Sequence, residues 1–521
     1  MKKIIIVGAG LAALSCIRHL DGEAEVVLFT KDRMEENNSH LAQGGICHSG
    51  REGDGGAGHV EDTYTAGDGL GSEEVIGEMI RAGHPLIEEM IAGGMAFDED
   101  DSGGLDFALE GGHHSPRILH AGGDRSGEHL CRFLAKGIDR VRMEIHTSET
   151  VIKVITGEDG AAGVVTVDSE DVQHQHFCDV VILATGGFSG LYTVNSGASP
   201  RMGSGHILAF DAGISLRQME MVQFHPTLLG TAGQTYGLVS EAVRGAGGVL
   251  RDGYGRRIMK DVHPLEDLAP RHVTSYEIHK RALKGEQIYL DIGGVKDFPG
   301  NFPVIHENVK KHFKADLKKG RIPVATGAHF TMGGAVAGID GSTAVPNLYV
   351  IGETANTHFH GANRLASNAL LEALVMGRKA AEKINKTMHR PKNKIFTGEV
   401  KVPVYDVSMF NEIKERAMSA AGIIRNGGQL ETLLHLIEEA HHTAGTGTAT
   451  NQNFQVHAEM KTIEAVVKSA LLREETRGGH RRTDFPDAAP GPPMDTVVSM
   501  KEGKMDAQYI ERQGKAQTIL H

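Results

Sequence analysis

The chain has 521 residues, 40% of them apolar, and 67 glycines, enough for one large core plus at least one more domain and too balanced for a disordered or fibrous chain. With 54 basic and 67 acidic residues its formal net charge is -13, so no basic field exists for a nucleic-acid backbone, although 29 histidines reduce the negative charge in mild acid. Cysteines occur only at 16, 47, 131 and 178; they lack metal-ligand spacing and disulfide density, so a reduced, cytoplasmic protein with no iron-sulfur cluster of its own is expected.

Residues 2–7 form an apolar, β-branched run that predicts a buried strand. The glycines that follow it make a targeting segment the poorer reading, and no later stretch reaches the ~18 apolar residues needed to cross a bilayer. Leu11 to Leu20 then carries apolar residues at helical spacing, and Glu25 to Phe29 returns as a strand, giving a β-α-β unit. Gly8-Ala9-Gly10-x-x-Ala13 sits at its first turn. Gly8 permits the tight turn, Gly10 lets the backbone approach a pyrophosphate, and Ala13 lets the helix pack close; the phosphates then meet the positive helix end. A purely structural turn is the weaker reading because the glycines end a strand and open a helix. The second strand ends Phe29-Thr30-Lys31, with Asp32 beyond it, where an acidic residue usually holds a ribose. That departure weakens NAD more than a flavin nucleotide.

Gln43-Gly44-Gly45 offers backbone to a flat ligand. Asp179 to Gly187 is a second strand running into glycines at Ala184-Thr185-Gly186-Gly187, and Leu348 to Glu353 is a third. Together the three strand ends are expected at the carboxyl edge of one parallel sheet, the edge at which open α/β sheets bind ligands. Between them, 219–330 mixes short strands, histidines and a helix-like stretch from Glu266 to Lys284, which suggests a cap. Ser367 and Asn368 precede an amphipathic helix to Ile384; they either cap it or place its N-terminus against a ring that gains negative charge. Beyond 398, Asp406 to Ile424, Leu430 to His442 and Asn453 to Glu475 read as helices, and Gly478 to Pro493 as loop. Glu110, His225, Ser240, Glu241, Arg244, Arg271, His329 and Arg364 lie among glycines and small residues. Singly each is more readily structural, yet such arginines and histidines beside a flavin suit a small dianion.

Several motifs, spread over nearly the whole chain, resemble the flavoprotein subunits of succinate dehydrogenase and fumarate reductase, and within that superfamily the L-aspartate oxidases. They are Gln43-Gly44-Gly45-Ile46, Glu110 to His120 (EGGHHSPRILH), Gln223 to Pro226 (QFHP), Ser240 to Gly245 (SEAVRG), Asp267 to Arg271 (DLAPR), His360 to Asn368 (HGANRLASN) and Arg477 to His480 (RGGH). The resemblance implies an α/β FAD-binding Rossmann-like domain (1–218 and 331–397) interrupted by an α+β capping domain (219–330) and followed by a C-terminal helical domain (398–521). FAD contacts are implied at Gly8, Ala9, Gly10, Leu11, Lys31, Asn38, Ser39, His40, Leu41, Ala42, Gln43, Gly44, Gly45, Glu353, Ala369 and Leu370. Ala13, Ala184, Thr185, Gly186, Ser204, Ser367 and Asn368 complete the expected cofactor set.

The resemblance makes Arg271 the acid or base. It gives the substrate carboxylates to Arg364, His225, His329 and Ser240, with Glu241 their neighbour, and the substrate ammonium to Glu110. Oxidation of L-aspartate to iminoaspartate is implied, with oxygen or fumarate as acceptor, at the start of NAD biosynthesis. L-aspartate, fumarate or other C4 dicarboxylates would be its ligands, and quinolinate synthase its functional partner. The alternative is a succinate dehydrogenase or fumarate reductase flavoprotein. Many of those hold FAD covalently through a histidine five residues before the glutamine of Gln-Gly-Gly; here that slot is Asn38, and His40 has a different offset, so FAD is expected to be non-covalent. The chain departs from its relatives at four places: His272 after Arg271, Ser204 within Gly203-Ser204-Gly205, Leu109 before Glu110, and Thr357 to His360. A flavin module with lost catalysis is therefore a further alternative.

Overall fold

A computed structural model describes residues 2–31, 35, 37–50, 56–136, 138, 141–197, 204–231, 233–387, 396 and 398–511. Asp32 and Gly203 lie outside the described residues. The organising element is a five-stranded parallel sheet. In chain order its strands are β1 (Lys2–Val7), β2 (Ala24–Thr30), β3 (Arg142–Thr147), β4 (Val180–Leu183) and β5 (Leu348–Val350), arranged β5-β4-β1-β2-β3. Ile4, Ile5 and Ile6 are fully buried, as expected for a parallel strand covered on both faces. Backbone pairing continues one residue beyond the strands: Gly8 N–H donates to Phe29 O (2.8 Å), Ala184 N–H to Val7 O (2.8 Å) and Ile351 N–H to Leu183 O (3.0 Å). The glycine-bearing ends of β1, β4 and β5 therefore meet at one edge, the juxtaposition expected from three strand-to-glycine runs.

Helix α1 (Leu11–His19) follows the first turn and packs on α2 (Asn368–Lys386). The two helices approach closely because Gly377 has no side chain; a Cβ there would fall 2.4 Å from Ala12 O. The cap is a second, antiparallel five-stranded sheet that includes Val222–Thr231 and Arg321–Thr331, crossed by α3 (Arg271–Ala282). It has its own core, with Leu229, Val243, Leu250, Ile278 and Leu290 buried together. Helices α4 (Val407–Ala420), α5 (Gly427–Thr443) and α6 (Asn451–Leu472) follow. Asp406, Asn426 and Thr450 cap their N-termini through side-chain oxygens. Ile413, Leu433, Ile437, Ile463 and Val467 join the main core rather than forming a separate one.

Two features differ from the sequence reading. Met494–Lys501 and Lys504–Glu511 form a β-hairpin about Glu502 and Gly503, both at positive φ, and its first strand pairs with Leu216–Arg217. The C-terminal region is thus helical with a terminal hairpin. Ser367 does not cap the helix it precedes: it sits at φ 62 with no side-chain capping bond, because its hydroxyl is committed elsewhere. No described helix is long and apolar enough to cross a membrane.

Candidate functional site

A cavity of about 620 Å³ opens between the sheet edge and the cap, within the usual range for small-ligand and cofactor sites. At one end it is a backbone cradle. Gly8 lies at φ +104, and a Cβ on it would fall 2.2 Å from Ala184 O, so only glycine allows β1 and β4 to end this close together. Gly10 opens α1, whose Leu11 N–H donates to Ser39 Oγ (3.0 Å), and Leu11 and Ala12 at its N-terminus line the cradle. Lys31 is held at the rim by Gln455 Oε1 (2.9 Å) and Ser204 Oγ (3.4 Å). This combination of glycine turn, helix N-terminus and lysine fits the pyrophosphate and adenosine half of a dinucleotide such as FAD. Ala9, Asn38, Leu41, Ala42, Gln43, Gly44, Gly45, Thr185, Gly186, Ala369 and Leu370 continue the lining. Ala13, His40 and Asn368 stand outside it. Ala13 lies on the buried face of α1, His40 N–H donates to Asn37 Oδ1, and Asn368 is held by His59 (2.7 Å) and Thr63 (3.0 Å).

The middle of the cavity carries Glu353, whose Oε1 accepts from Thr331 N–H (2.9 Å) and Thr331 Oγ1 (3.2 Å). Burial raises its pKa to about 7 against the opposing pull of those bonds and of Arg364.

The same lining includes Glu110, His225, Ser240, Glu241, Arg271, His329 and Arg364. Arg271 opens α3, and two acceptors fix its guanidinium: Glu241 Oε2 at 2.6 Å from Nε and Gln223 Oε1 at 2.9 Å from Nη1. Glu241 Oε1 in turn accepts from Arg244 Nη2 (2.6 Å). Arg364 lies over the Phe330 ring (4.4 Å). Burial, reinforced by Arg271, lowers its pKa to about 9. The His225 and His329 rings meet edge to face, with centroids 4.9 Å apart, and burial plus the arginines drive both pKa values well below normal. They are neutral imidazoles beside two cationic guanidinium groups. Ser196 bonds His329 Nδ1 (2.7 Å), which leaves the other ring nitrogen for a ligand.

Glu110 is the counterweight. Ser367 Oγ donates to its Oε2 (2.8 Å), and His120 Nε2 lies 3.2 Å from its Oε1, an ion-pair contact rather than an aligned hydrogen bond. Burial alone would raise its pKa, but His120, Ser367 and Arg271 outweigh that and hold it at about 2. Glu110 Oε1, His225 Nε2 and Arg364 Nε are buried without a hydrogen-bond partner among the described residues, an arrangement expected where a ligand completes the set. The site therefore combines cationic and neutral donors, suited to anionic groups, with one ionised carboxylate, suited to a cation. The sequence pointed to Gln223 only as part of a motif and gave no sign of Ser196 or Gln455, because each acts through a long-range contact.

A family model described as an FAD binding domain matches residues 3–370, and one described as the fumarate reductase flavoprotein C-term matches 411–513. A Bacillus subtilis protein named L-aspartate oxidase is 38% identical over 507 residues, covering 96% of this chain and 94% of its own. One of the same name from Mycobacterium leprae is 34% identical, covering 96% and 95%. Among solved structures, a chain of a quinol-fumarate reductase with menaquinol molecules superposes with TM-score 0.87 at 23% identity over 99% of each chain, a likeness of fold. A chain of the Mycobacterium smegmatis Sdh1 complex with UQ1 does so at 0.80 and 26%, over 99% and 95%.

Proposed function

The chain belongs to the L-aspartate oxidase family of FAD-binding flavoproteins, and on that premise we propose that it oxidises L-aspartate to iminoaspartate, the first step of de novo NAD biosynthesis. The observation that carries this reading is Glu110: a buried carboxylate, ionised down to pH about 2, in the same cavity as Arg271, Arg364, His225, His329 and Ser240. A dicarboxylate without an amine gives such a group nothing to pair with. Aspartate does, because its ammonium is the natural partner of a buried carboxylate.

Arg364, Ser240 and the two imidazoles hold the substrate carboxylates; being neutral, the imidazoles add N–H donors without adding like charge to the arginines. Glu110 fixes the ammonium, so the reacting carbons are oriented by contacts at both ends of the substrate. Arg271, rigidly set by Glu241 and Gln223, is the acid or base and also stabilises developing negative charge. The cap, which we delimit at 219–330, excludes water. The Gly8–Gly10 turn, Lys31 and the Gln43–Gly45 backbone would hold FAD, which would supply a two-electron acceptor, with oxygen (giving hydrogen peroxide) or fumarate (giving succinate) as the final acceptor. Its attachment is non-covalent: Asn38, which lines the cavity, cannot form a histidyl bond, and His40 stands outside the lining.

Iminoaspartate is labile and must be condensed onward, so quinolinate synthase is the functional partner in this reading, in the cytoplasm. Anaerobic addition of candidate substrates tests the proposal. L-aspartate should bleach the flavin and succinate should not; bleaching by succinate alone would make the chain a succinate dehydrogenase or fumarate reductase flavoprotein, and bleaching by neither would make it a non-catalytic flavin module.

A further inference from the structure

We propose that His48, His84 and Glu88 form a binding site for one divalent transition-metal ion of the zinc class, separate from the cofactor cavity. None of the three lines that cavity. His84 and Glu88 lie one turn apart on the helix Glu73–Ala92, a spacing that puts both side chains on one face. His48 follows the short strand Ile46–Cys47, and its backbone is anchored by donation from its N–H to Arg117 O (2.8 Å). Potential ligand atoms of all three lie within 4.8 Å of one another. His48 Nε2 and Glu88 Oε1 are already 2.9 Å apart, and the two imidazole rings stack with centroids 5.0 Å apart.

Zinc binds imidazole nitrogen and carboxylate oxygen at ~2.0–2.2 Å, so ligands around one ion sit roughly 3–3.5 Å from each other. The buried member is fixed, whereas His84 and Glu88 are exposed and reach that spacing by side-chain rotation alone. His48 presents Nε2 to the cluster, 2.9 Å from Glu88 Oε1, from a buried ring. Two imidazoles with one carboxylate select a borderline cation such as Zn²⁺, Co²⁺ or Ni²⁺ over Mg²⁺ or Ca²⁺, which prefer all-oxygen shells. Three protein ligands leave the fourth position to water. At Gly50 a Cβ would fall 2.5 Å from Nε2 of the buried His48, so the missing side chain lets the backbone pass close to that ring.

Such an ion ties the helix Glu73–Ala92 to the segment that leaves the Gln43-Gly44-Gly45 turn. That helix packs against α2 through Gly83, where a Cβ would fall 2.2 Å from Leu371 Cδ1. The ion therefore braces one side of the flavin site without touching substrate.

The test uses FAD-loaded full-length protein freed of metal by a chelator and titrated with Co²⁺, whose four-coordinate complexes absorb at wavelengths beyond the flavin bands. One equivalent should produce those bands, and one equivalent of Zn²⁺ should abolish them. His84→Ala and Glu88→Gln, both at exposed positions, should keep the flavin spectrum and melting temperature of the metal-free protein while weakening this one-equivalent binding at least tenfold. Co²⁺ and Zn²⁺ isotherms in either variant that match those of the unaltered protein would overturn the proposal, as would a one-equivalent complex with the weak absorption of six-coordinate Co²⁺.

Discussion

Replacing Glu110 with glutamine isolates the charge that separates an amino dicarboxylate from a simple dicarboxylate. Glutamine keeps the volume and an acceptor for Ser367 Oγ, which now donates to Glu110 at 2.8 Å, while it removes the negative charge and turns the other oxygen into an N–H donor. A substrate ammonium left unpaired in a buried site costs about 3 kcal/mol. At about 1.4 kcal/mol per factor of ten, kcat/KM for L-aspartate should fall about 150-fold. Fumarate has no ammonium, and a compensating change protects its binding. The Glu110 contact raises the pKa of His120; without it His120 gives up its proton more readily, so the net charge facing a dicarboxylate changes little. Fumarate reduction should fall by no more than about threefold, within ~0.7 kcal/mol. Stopped-flow bleaching of the flavin by L-aspartate without oxygen gives the first number, and fumarate-dependent oxidation of a reduced viologen gives the second. Equal losses in the two assays would refute the ammonium assignment.

Arg271→Leu should abolish most turnover yet retain bound flavin, since Arg271 contacts Glu241 and Gln223 rather than the glycine cradle; near-normal turnover would remove it from the mechanism. Inhibition by succinate should weaken above pH about 9 as Arg364 loses its proton, and the choice of succinate keeps the substrate amine out of the titration; a flat inhibition constant to pH 10 would contradict a carboxylate-binding Arg364. Gly8→Ala places a Cβ 2.2 Å from Ala184 O at φ +104 and should yield protein with little flavin, measured as the ratio of flavin to protein absorbance; full flavin content would show that the turn yields without cost. On acid precipitation the yellow colour should stay in solution, and colour in the pellet would mean covalent attachment.

The sheet was legible because its strands announce themselves: Ile4 to Val7, Val180 to Leu183 and Leu348 to Val350 are unbroken apolar runs, and each stops at residues that turn. The hairpin from Met494 to Glu511 was not. Its strands mix Asp495, Thr496 and Ser499 with short apolar pairs, and their pairing with Leu216–Arg217 is a tertiary fact no local window contains. Ser367 shows a sharper failure. A serine before an amphipathic helix is a capping signal by local chemistry, yet its hydroxyl goes to Glu110, 257 residues earlier in the chain. The sequence could suggest Glu110, Ser240 and Arg364 as polar residues in small-residue settings, but their convergence depends on the cap sheet closing over the glycine ends of the parallel sheet.

The departures from the relatives' motifs bear on whether catalysis survives. Burial lowers the pKa of His272, beside Arg271, to about 4, so it is neutral at working pH and adds no positive charge next to the guanidinium. The carboxylate that Arg271 uses is that of Glu241, at 2.6 Å. Ser204 Oγ accepts from Lys31 Nζ at 3.4 Å, with Gln455 holding the same ammonium at 2.9 Å. Within Thr357 to His360, His358 pairs with Asp495 (2.8 Å) and His360 with Glu372 (2.9 Å), so both histidines are absorbed into internal contacts. Leu109 presents its backbone oxygen to Gly245, where a Cβ would fall 2.2 Å away, a contact indifferent to the side chain. Each of these positions is thus engaged by a neighbour or spent on packing, while Glu110 stays ionised and the two imidazoles neutral, as the proposed reaction requires. That distribution favours an active oxidase over a flavin module that has lost its chemistry.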